Sequence, residues 1–238
     1  MCGICGIFFS DRDWHVTGDV LAGMNHRIVH RGPDDEGHFI ENTIGFYHKR
    51  LSIIDLASGH QPMTTNNHVI VFNGEIYNYI ELRDDLKRKG HAFRTNSDTE
   101  VILKMYEEYG CESINQLNGM FSFLIYDKIR NQIVAARDHF GIKPLYFFKN
   151  DECILFASEI KALLEHPAVA AEVNKQGLHD YLTFQFESRV IGPNGNFHVR
   201  CVIWMPEDIR SAGMLPTFSP RASFQVHSEW VFVLAPRL

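Results

Sequence analysis

The pattern of apolar and polar positions predicts short strands and amphipathic helices in separate runs along the chain. The apolar stretch Ile4–Phe9 is typical of a buried strand, and His68–Phe72 predicts a strand that runs into the dipeptide Asn73-Gly74. Further strands are predicted at Phe39–Ile40, Ile44–Tyr47, Phe121–Asp127, Gln132–Arg137, Leu145–Phe148 and Ile154–Ala157, and helices at Val20–Val29, Ile80–Lys89, Ser97–Tyr109, Ile160–Leu164 and Lys175–Thr183. Because strands and helices do not strictly alternate, we predict an α+β fold of layers rather than a parallel doubly wound sheet.

Two parts of this pattern are more specific. The helix Ser97–Tyr109 begins with a capping box, since Ser97 is followed three residues later by Glu100. Its apolar face comprises Val101, Ile102, Met105, Tyr106 and Tyr109. The four strands between Phe121 and Ala157 are closely spaced and separated by turn-forming residues, which predicts an antiparallel meander.

Composition limits the possible classes of function. The chain has 238 residues, of which 45% are hydrophobic, enough for one large domain or two small ones. A formal net charge of -6 without a long basic run predicts no nucleic-acid partner. The five cysteines are an odd number and do not form a disulfide framework; they are Cys2, Cys5, Cys111, Cys153 and Cys201. The start resembles no signal peptide and no apolar run reaches the ~20 residues of a membrane span, so we predict a cytoplasmic protein with no membrane partner.

The composition changes after about Phe186. Residues 187–238 contain no lysine, whereas the first 186 residues contain nine, and five of the nine prolines fall in this last stretch. Only Val199–Trp204 and Trp230–Leu234 are strand-like there. We therefore predict a domain over residues 2–186 and a divergent tail over residues 187–238 without a core of its own.

The second residue is a candidate nucleophile. Cys2 follows Met1, and cysteine is small enough for an aminopeptidase to remove that methionine. The mature chain would then begin with a thiol, ordinary pKa ~8.5, beside a free α-amine, ordinary pKa ~7.7–8.0. A thiolate is the attacking species and the amine can serve as its base, so this one residue supplies a nucleophile and a base.

Three other positions carry chemistry that such a nucleophile needs, and each has a simpler explanation. Asn73-Gly74 could supply an amide and a backbone N–H to an oxyanion, or it could be an ordinary hairpin turn. Arg50 suits a substrate carboxylate, or a structural ion pair. Asp98, in the first turn of its helix, suits a substrate ammonium, or only the helix dipole.

Six ordered blocks resemble the class II, N-terminal nucleophile, glutamine amidotransferases. Besides the start MCGICGIF, they are RGPDDEG at 31–37, RLSIIDLASGHQPM at 50–63, FNGEIYNYIELRDDL at 72–86, SDTEVILKMYEEYG at 97–110, LNGMFSFLIYD at 117–127 and ARDHFGIKPLYF at 136–147. Within that class the chain is most similar to the glutaminase domain of glutamine-hydrolysing asparagine synthetases. The similarity extends over roughly residues 2–186.

This resemblance implies a fold and a set of roles. The fold would be a four-layer αββα sandwich of two antiparallel sheets. Cys2 would attack the side-chain amide of L-glutamine, with Asn73 and Gly74 as the oxyanion hole. The glutamine pocket would consist of Arg50 for the carboxylate, Asp98 for the ammonium, Glu75, and backbone from Leu51, Ser52, Ile53 and Ile54. The turn Arg31–Asp34 would face a synthetase domain.

The resemblance also sets expectations about cofactors and partners. No cofactor is expected in this domain, because ATP and Mg would belong to a synthetase domain whose pyrophosphate loop we do not find in the sequence. A separately encoded synthetase domain would then be the partner. After about Asn194 the family pattern is lost, so we expect a truncated or frameshifted reading frame. The alternatives are an inactive remnant or docking module, and a different amide hydrolase with the same layout.

Two patterns in the sequence resemble metal sites, but each is weak evidence for one. Cys2 and Cys5 form a CxxC without a second pair, and it leads into a strand rather than a helix. His26 and His30 are four residues apart but have no third ligand nearby in the sequence. We therefore predict no metal site.

Overall fold

The computed structural model describes residues 1–9, 11, 14–55, 58–171, 178–179, 182–183, 200–201, 224–228 and 231–234. Its strands are β1 Gly3–Phe9, β2 Asp35–Glu41, β3 Ile44–Arg50, β4 Met63–Thr64, β5 His68–Ile76, β6 Gly119–Asp127, β7 Gln132–Arg137, β8 Tyr146–Lys149, β9 Cys153–Ala157, β10 Arg200–Cys201, β11 Phe224–Ser228 and β12 Val231–Leu234. Its helices are α1 Gly18–His26, α2 Tyr79–Arg88, α3 Asp98–Tyr109 and α4 Ile160–Leu163, with short 3-10 turns at Val29–Arg31 and Gly110–Gln116. None of the described helices is both long and apolar enough to cross a membrane.

The strands form two six-stranded antiparallel sheets. The first has the order β10-β8-β9-β1-β3-β2 and the second the order β11-β12-β7-β6-β5-β4. The predicted single meander between Phe121 and Ala157 is therefore wrong in its topology. It consists of two hairpins, β6–β7 in the second sheet and β8–β9 in the first. Turn-forming residues specify that neighbouring strands fold back, but they do not specify which sheet the next hairpin joins.

The molecule has four layers, and an apolar cluster lies between each neighbouring pair of layers. The central cluster joins the facing sides of the two sheets, with Ile4 and Phe46 from the first and Val71 and Leu124 from the second. The outer face of the first sheet packs against α1 and α4, and the outer face of the second against α3. A smaller cluster joins α2 to α3 through Leu86 and its neighbours. The predicted α+β fold, with an αββα sandwich, is confirmed.

The dipeptide Asn73-Gly74 lies inside a strand and does not form a hairpin turn. Strand β5 runs on to Ile76, so Asn73 pairs with Ser122 and Gly74 with Phe121. The expectation that the dipeptide stands at a strand end is thus corrected. A Cβ atom on Gly74 would meet the carbonyl oxygen of Met120 at 2.2 Å, so the close approach of β6 requires glycine.

The start of α3 differs in detail from the predicted capping box. Ser97 is the N-cap, and its hydroxyl accepts a hydrogen bond from Thr99 N at 3.1 Å. The carboxylate of Glu100 accepts from the amides of Arg94 and Thr95 instead of returning to Ser97. The helix start is capped as predicted. The reciprocal bond is replaced by one that ties the preceding loop to the helix.

Part of the tail joins both sheets. The backbone of β10 pairs with β8, and β12 pairs with β7. These two strands lie within the predicted stretches Val199–Trp204 and Trp230–Leu234, whereas β11 had no counterpart in the sequence prediction. The predicted helix Lys175–Thr183 falls mostly outside the described residues. The domain boundary at residue 186 stays a prediction.

Candidate active site

Strand alternation brings the start of the chain and the middle of β5 to the same gap between the sheets. Ile4 on β1 packs in the central core, and side chains two residues apart on a strand share a face, so Cys2 continues this face. Val71 on β5 also packs in the central core, and Asn73 continues that face. Cys2 and Asn73 therefore extend toward one gap from opposite walls.

The same alternation adds two residues of β3. Phe46 packs in the central core, and His48 and Arg50 follow on its face. The fully buried ring of His48 lies 3.1 Å from the carbonyl oxygen of Phe72 on β5, so this hydrogen bond joins the two sheets beside Asn73. Burial lowers the pKa of His48 to about 3, which keeps the ring neutral.

The Cys2 sulfur is held by one backbone residue. Leu51 N donates to Sγ at 3.3 Å, and Sγ lies 3.5 Å from the carbonyl oxygen of Leu51. Burial raises the pKa of the thiol above its ordinary value, while the Leu51 amide and the positive charges of the chain terminus, Arg50 and Lys143 act in the opposite direction. A half-buried thiol with a raised pKa needs a base to become a thiolate.

The turn Arg31–Asp34 contributes directly to this site, a role that the sequence did not reveal. Arg31 Nε donates to the carbonyl oxygen of Cys2 at 2.9 Å, and its Nη1 donates to Glu159 at 3.0 Å. Asp34 Oδ2 accepts from Ser52 N at 2.8 Å. The turn therefore holds both the backbone of Cys2 and the segment that contacts its sulfur. The only sequence signal was the RGPD block itself.

Two hydrogen-bond donors face the gap without an acceptor in the described part of the chain. Asn73 is 1% exposed, and its Nδ2 atom is buried with no hydrogen-bond partner among the described residues. A buried amide donor left unpaired in the free protein costs stability, so it is expected to serve a ligand. This is the first donor that an oxyanion would require.

The second donor is the backbone N–H of Gly74. On the same edge of β5, Phe72 N donates to the side chain of Gln61 at 2.7 Å and Ile76 N donates to Asp98 at 3.1 Å. Amides two residues apart point to the same side of a strand, so the Gly74 N–H lies between these two capped amides. On the other side, Phe121 N binds Asp138, so β6 makes no ladder bond to Gly74.

Arg50 is anchored by the loop that follows it. The side chain is buried, and Nη2 donates to the carbonyl oxygens of Ile54 at 3.2 Å and Asp55 at 2.6 Å. Asp55 in turn accepts from Asn96 N at 2.7 Å, which ties this loop to the start of α3. The loop that holds the guanidinium is thus tied to the residues that precede Asp98.

Asp98 is a buried carboxylate whose Oδ2 accepts a hydrogen bond from Ile76 N on β5. It is 3% exposed, and burial raises its pKa to about 6, partly opposed by hydrogen bonds from backbone amides; Glu75 raises the pKa further. A carboxylate that only favoured the helix dipole would have no need of this burial. Burial is the largest cause of the raised pKa, so a cation beside the carboxylate would stabilise its charged form.

The remaining predicted residues differ in their placement. Leu51 and Ser52 contact the nucleophile or its supporting turn, and Ile54 accepts from Arg50. The side chain of Ile53 is 61% exposed, so only its backbone can take part in a pocket. Glu75 shares the face of Asn73 by strand alternation. The structure therefore links Cys2 to Leu51 and Arg50 to Ile54, and it places Asn73 and Glu75 on one face of β5.

The two metal-like patterns do not converge. Cys5 packs on the outer face of the first sheet, opposite the side that Cys2 continues. His30 binds Glu159 at 2.8 Å, and His26 is exposed. Within the described residues, no group of three or more histidine, cysteine or acidic side chains is placed to hold a metal ion.

Comparison with known proteins decides the family. The family model described as a glutamine amidotransferase domain matches residues 1–195 of this chain. The chain belongs to the class II glutamine amidotransferase family.

Sequence relatives show which kind of glutamine amidotransferase this domain resembles. It is 46% identical to glutamine-hydrolyzing asparagine synthetase 1 of Bacillus subtilis over 194 residues, which is 78% of this chain and 30% of the relative. It is 41% identical to a probable glutamine-hydrolyzing asparagine synthetase of Schizosaccharomyces pombe, covering 70% of this chain and 30% of that protein. The chain thus spans about a third of the length of these relatives.

Solved structures support the fold. Glutamine phosphoribosylpyrophosphate amidotransferase of Bacillus subtilis, complexed with ADP and GMP, superposes on the amidotransferase domain with a TM-score of 0.56 at 22% identity. The superposition covers 68% of this chain and 43% of that one. A second structure, of an allosteric regulatory enzyme of purine biosynthesis, gives a TM-score of 0.57 at 21% identity.

Proposed function

We propose that this domain hydrolyses the side-chain amide of L-glutamine to glutamate and ammonia, with Cys2 as the nucleophile. The observation that carries the proposal is the unpaired, buried Nδ2 of Asn73, which faces the same gap as the Cys2 sulfur. Together with the Gly74 N–H it would form a pair of donors for one oxygen atom. Such a pair stabilises the oxyanion of acyl transfer.

The reaction follows from this arrangement. Once Met1 is removed, the free amine of Cys2 takes the thiol proton, and the sulfur attacks the carboxamide carbon. Asn73 and Gly74 stabilise the oxyanion of the tetrahedral intermediate. The carbon–nitrogen bond then breaks, and ammonia leaves with the proton returned by the amine. Water, activated by the same amine, hydrolyses the thioester to release glutamate.

Two charged groups give the pocket its preference for an amino acid. Arg50 binds the α-carboxylate, and Asp98 binds the α-ammonium with help from Glu75. A cation beside Asp98 would lower its pKa from about 6 and recover the free energy lost when the carboxylate was buried. Backbone groups of Leu51, Ser52, Ile53 and Ile54 complete the pocket. This pairing favours a free amino acid over a peptide or a simple amide.

The ammonia is proposed to serve asparagine synthesis. The relatives named above are glutamine-hydrolyzing asparagine synthetases, and the chain matches about a third of their length. ATP and Mg would act in a synthetase domain that receives the ammonia. The domain itself requires no cofactor for hydrolysis of glutamine. We propose that a synthetase domain is its partner in the cytoplasm.

Glutamate release from purified protein tests the proposal. Mass spectrometry first confirms that Met1 is absent, and glutamate is then measured with wild type, Cys2→Ala and Asn73→Ala. We expect activity in wild type, none above background in Cys2→Ala, and a fall of roughly 10²–10³-fold in kcat for Asn73→Ala. Folded wild-type protein that releases no more glutamate than Cys2→Ala would instead support an inactive remnant or docking module.

A further inference from the structure

Gln61 lies at the edge of β5 that the short strand β4 leaves open, and the proposed glutaminase chemistry assigns it no role. The residue is 5% exposed. In the β4–β5 ladder Met63 pairs with Ile70, and extending this antiparallel register would place Gln61 opposite Phe72. A longer β4 would bind the N–H and the carbonyl oxygen of Phe72 with its backbone at this position.

Two side chains make these bonds instead. Phe72 N donates to Gln61 Oε1 at 2.7 Å, and Nε2 of His48 lies 3.1 Å from the carbonyl oxygen of Phe72. The backbone of Gln61 lies elsewhere, since a Cβ atom on Gly37 of β2 would meet its carbonyl oxygen at 2.2 Å. The side chain of Gln61 therefore reaches from a backbone beside the first sheet to the edge of the second.

The amide nitrogen of Gln61 is tied to the start of α3. Its Nε2 donates to Thr99 Oγ1 at 3.3 Å, and Thr99 is 1% exposed. The residue before Thr99 is Asp98, whose Oδ2 accepts from Ile76 N on β5 at 3.1 Å. The edge of β5 is thus joined to the start of α3 at two points, through Gln61 at Phe72 and directly at Ile76.

The proposed oxyanion donors lie between these two points. Asn73 directly follows Phe72, and the N–H of Gly74 lies on the same edge of β5 as the N–H groups of Phe72 and Ile76. Each of those two flanking amides has a side-chain acceptor in the protein. Loss of the bond at Phe72 would release one end of the segment that carries both donors.

We propose that Gln61 is a positioning residue that holds the oxyanion donors Asn73 and Gly74 in place through its bond to Phe72. Such donors act only at the right distance from the developing charge, and a displacement of about 1 Å can cost about 10²-fold in rate. Gln61 acts through the backbone of β5 and not on the substrate. Its effect on turnover rests on the proposed function, but its hold on the edge of β5 does not require glutamine.

Steady-state kinetics separate positioning from a general structural role. Gln61→Met removes both side-chain bonds at similar volume. The matched control is Gln132→Met, which removes the bond from Gln132 Nε2 on β7 to Tyr106 Oη at 3.1 Å. We expect Gln61→Met to lower kcat about 10–10²-fold with little change in KM, because the donors act on the oxyanion. The control should keep both constants of wild type, and a wild-type kcat in folded Gln61→Met would overturn the inference.

A double-mutant cycle tests whether Gln61 acts through the donors. Gln61→Met is introduced into wild type and into Asn73→Ala, and the two losses in kcat are compared. In the Asn73→Ala background we expect a loss of only about threefold, because one of the two donors that Gln61 positions is already absent. Equal losses in both backgrounds would mean that Gln61 acts independently of Asn73, which contradicts the proposed positioning.

Amide hydrogen exchange followed by NMR distinguishes this inference from the proposed function, because it requires no turnover. In Gln61→Met the Phe72 amide should exchange at least about tenfold faster than in wild type, while the Ile70 amide, where β5 still pairs with β4, keeps its rate. If wild type hydrolyses no glutamine but exchange at Phe72 rises in this way, the proposed function fails and the hold of Gln61 on β5 stands. Unchanged exchange at Phe72 refutes the inference whatever the activity.

Thr99→Val is the second variant if Gln61→Met does not fold. It removes the acceptor of Gln61 Nε2 and leaves the Gln61 side chain tied only to Phe72. The same changes in kcat and in Phe72 exchange are then expected at smaller size, and their absence in folded Thr99→Val would overturn the inference. Failure of both variants to fold would assign Gln61 a purely structural role and would also overturn it.

Discussion

Arg31 Nε donates a hydrogen bond to the carbonyl oxygen of Cys2 at 2.9 Å, so a side chain 29 residues away holds the backbone of Cys2. Chain termini are usually poorly ordered unless they are tied down. Here the guanidinium is itself held by Glu159 at 3.0 Å. The backbone of Cys2 is therefore held by Arg31, which Glu159 holds in turn.

We expect Arg31→Met to lower glutaminase activity without unfolding the protein. The change removes the bond to Cys2 and leaves the sulfur and the amine less well oriented, for which a loss of about 10²-fold in kcat is expected. Steady-state kinetics provide the measurement. Arg88→Met, which removes an exposed arginine paired with Asp85, is the control and should retain full activity. Equal activity in both variants would contradict the orienting role.

We expect Asp98→Asn to stabilise the protein at neutral pH while weakening glutamine binding. The folded state resists ionisation of Asp98 up to about pH 6, whereas the unfolded chain ionises it near 3.8, so wild type loses stability as pH rises through that window. Asp98→Asn has no carboxyl group to ionise, so it does not lose stability in this pH window. Its free energy of unfolding should exceed that of wild type by up to ~3 kcal/mol near pH 7, and by little near pH 4.

Urea unfolding at several pH values measures this difference, and glutaminase kinetics measure the expected rise in KM. Asp84→Asn changes an exposed aspartate on α2 and should alter neither quantity. A difference in stability between Asp98→Asn and wild type that does not change between pH 4 and pH 7 would exclude the proposed burial of charge.

We expect His48 to make the protein sensitive to acid. Its folded pKa is about 3, against an ordinary value near 6.5, so the unfolded state binds an additional proton between these values. Stability conferred by the neutral ring is therefore present above pH 6.5 and is lost as pH falls toward 3. His48→Gln retains a donor for the carbonyl of Phe72 and should show a shallower loss of stability in this range.

Thermal unfolding between pH 4 and pH 7 checks this expectation. The matched control is His26→Gln, because His26 is exposed. This control should follow the wild-type profile. If His48→Gln and wild type lose stability in parallel as pH falls, the cross-sheet histidine is not the acid-sensitive group.

We expect Gly74→Ala to damage both stability and activity. An added Cβ would lie 2.2 Å from the carbonyl oxygen of Met120, and this backbone atom cannot move without displacing β6. A loss of about 1–3 kcal/mol is typical of such overpacking. The Gly74 N–H would also shift from the position needed for the oxyanion. Gly18→Ala is the control, since no atom lies within 4 Å of its added Cβ.

Denaturant unfolding and glutaminase kinetics together give the result for this pair of variants. Gly18→Ala should unfold within about 0.5 kcal/mol of wild type and retain its activity. Wild-type stability in Gly74→Ala would mean that β5 and β6 are less closely packed than the structure shows.

Local signals in the sequence accounted for most of the elements. The apolar stretch Ile4–Phe9 became β1, and the Ser97 cap became the start of α3, because strand alternation and capping depend on neighbouring residues. The chemistry of Cys2 was also evident from its position in the chain. The remaining predicted site residues came from these local blocks and from the family resemblance, not from any spacing between them.

The sequence by itself determined most of the strands and helices, and which residue types can attack, donate or bind a charge, because these properties are local or chemical. Only the tertiary structure decided that Cys2 and Asn73 face one gap, that the Gly74 N–H lies on the open edge of β5, and that Arg31 binds the carbonyl oxygen of Cys2. The physical reason is that such contacts join residues far apart in the chain, as in the bond from Leu51 N to the Cys2 sulfur across 49 positions. They depend on how the two sheets pack, and no local pattern records that packing.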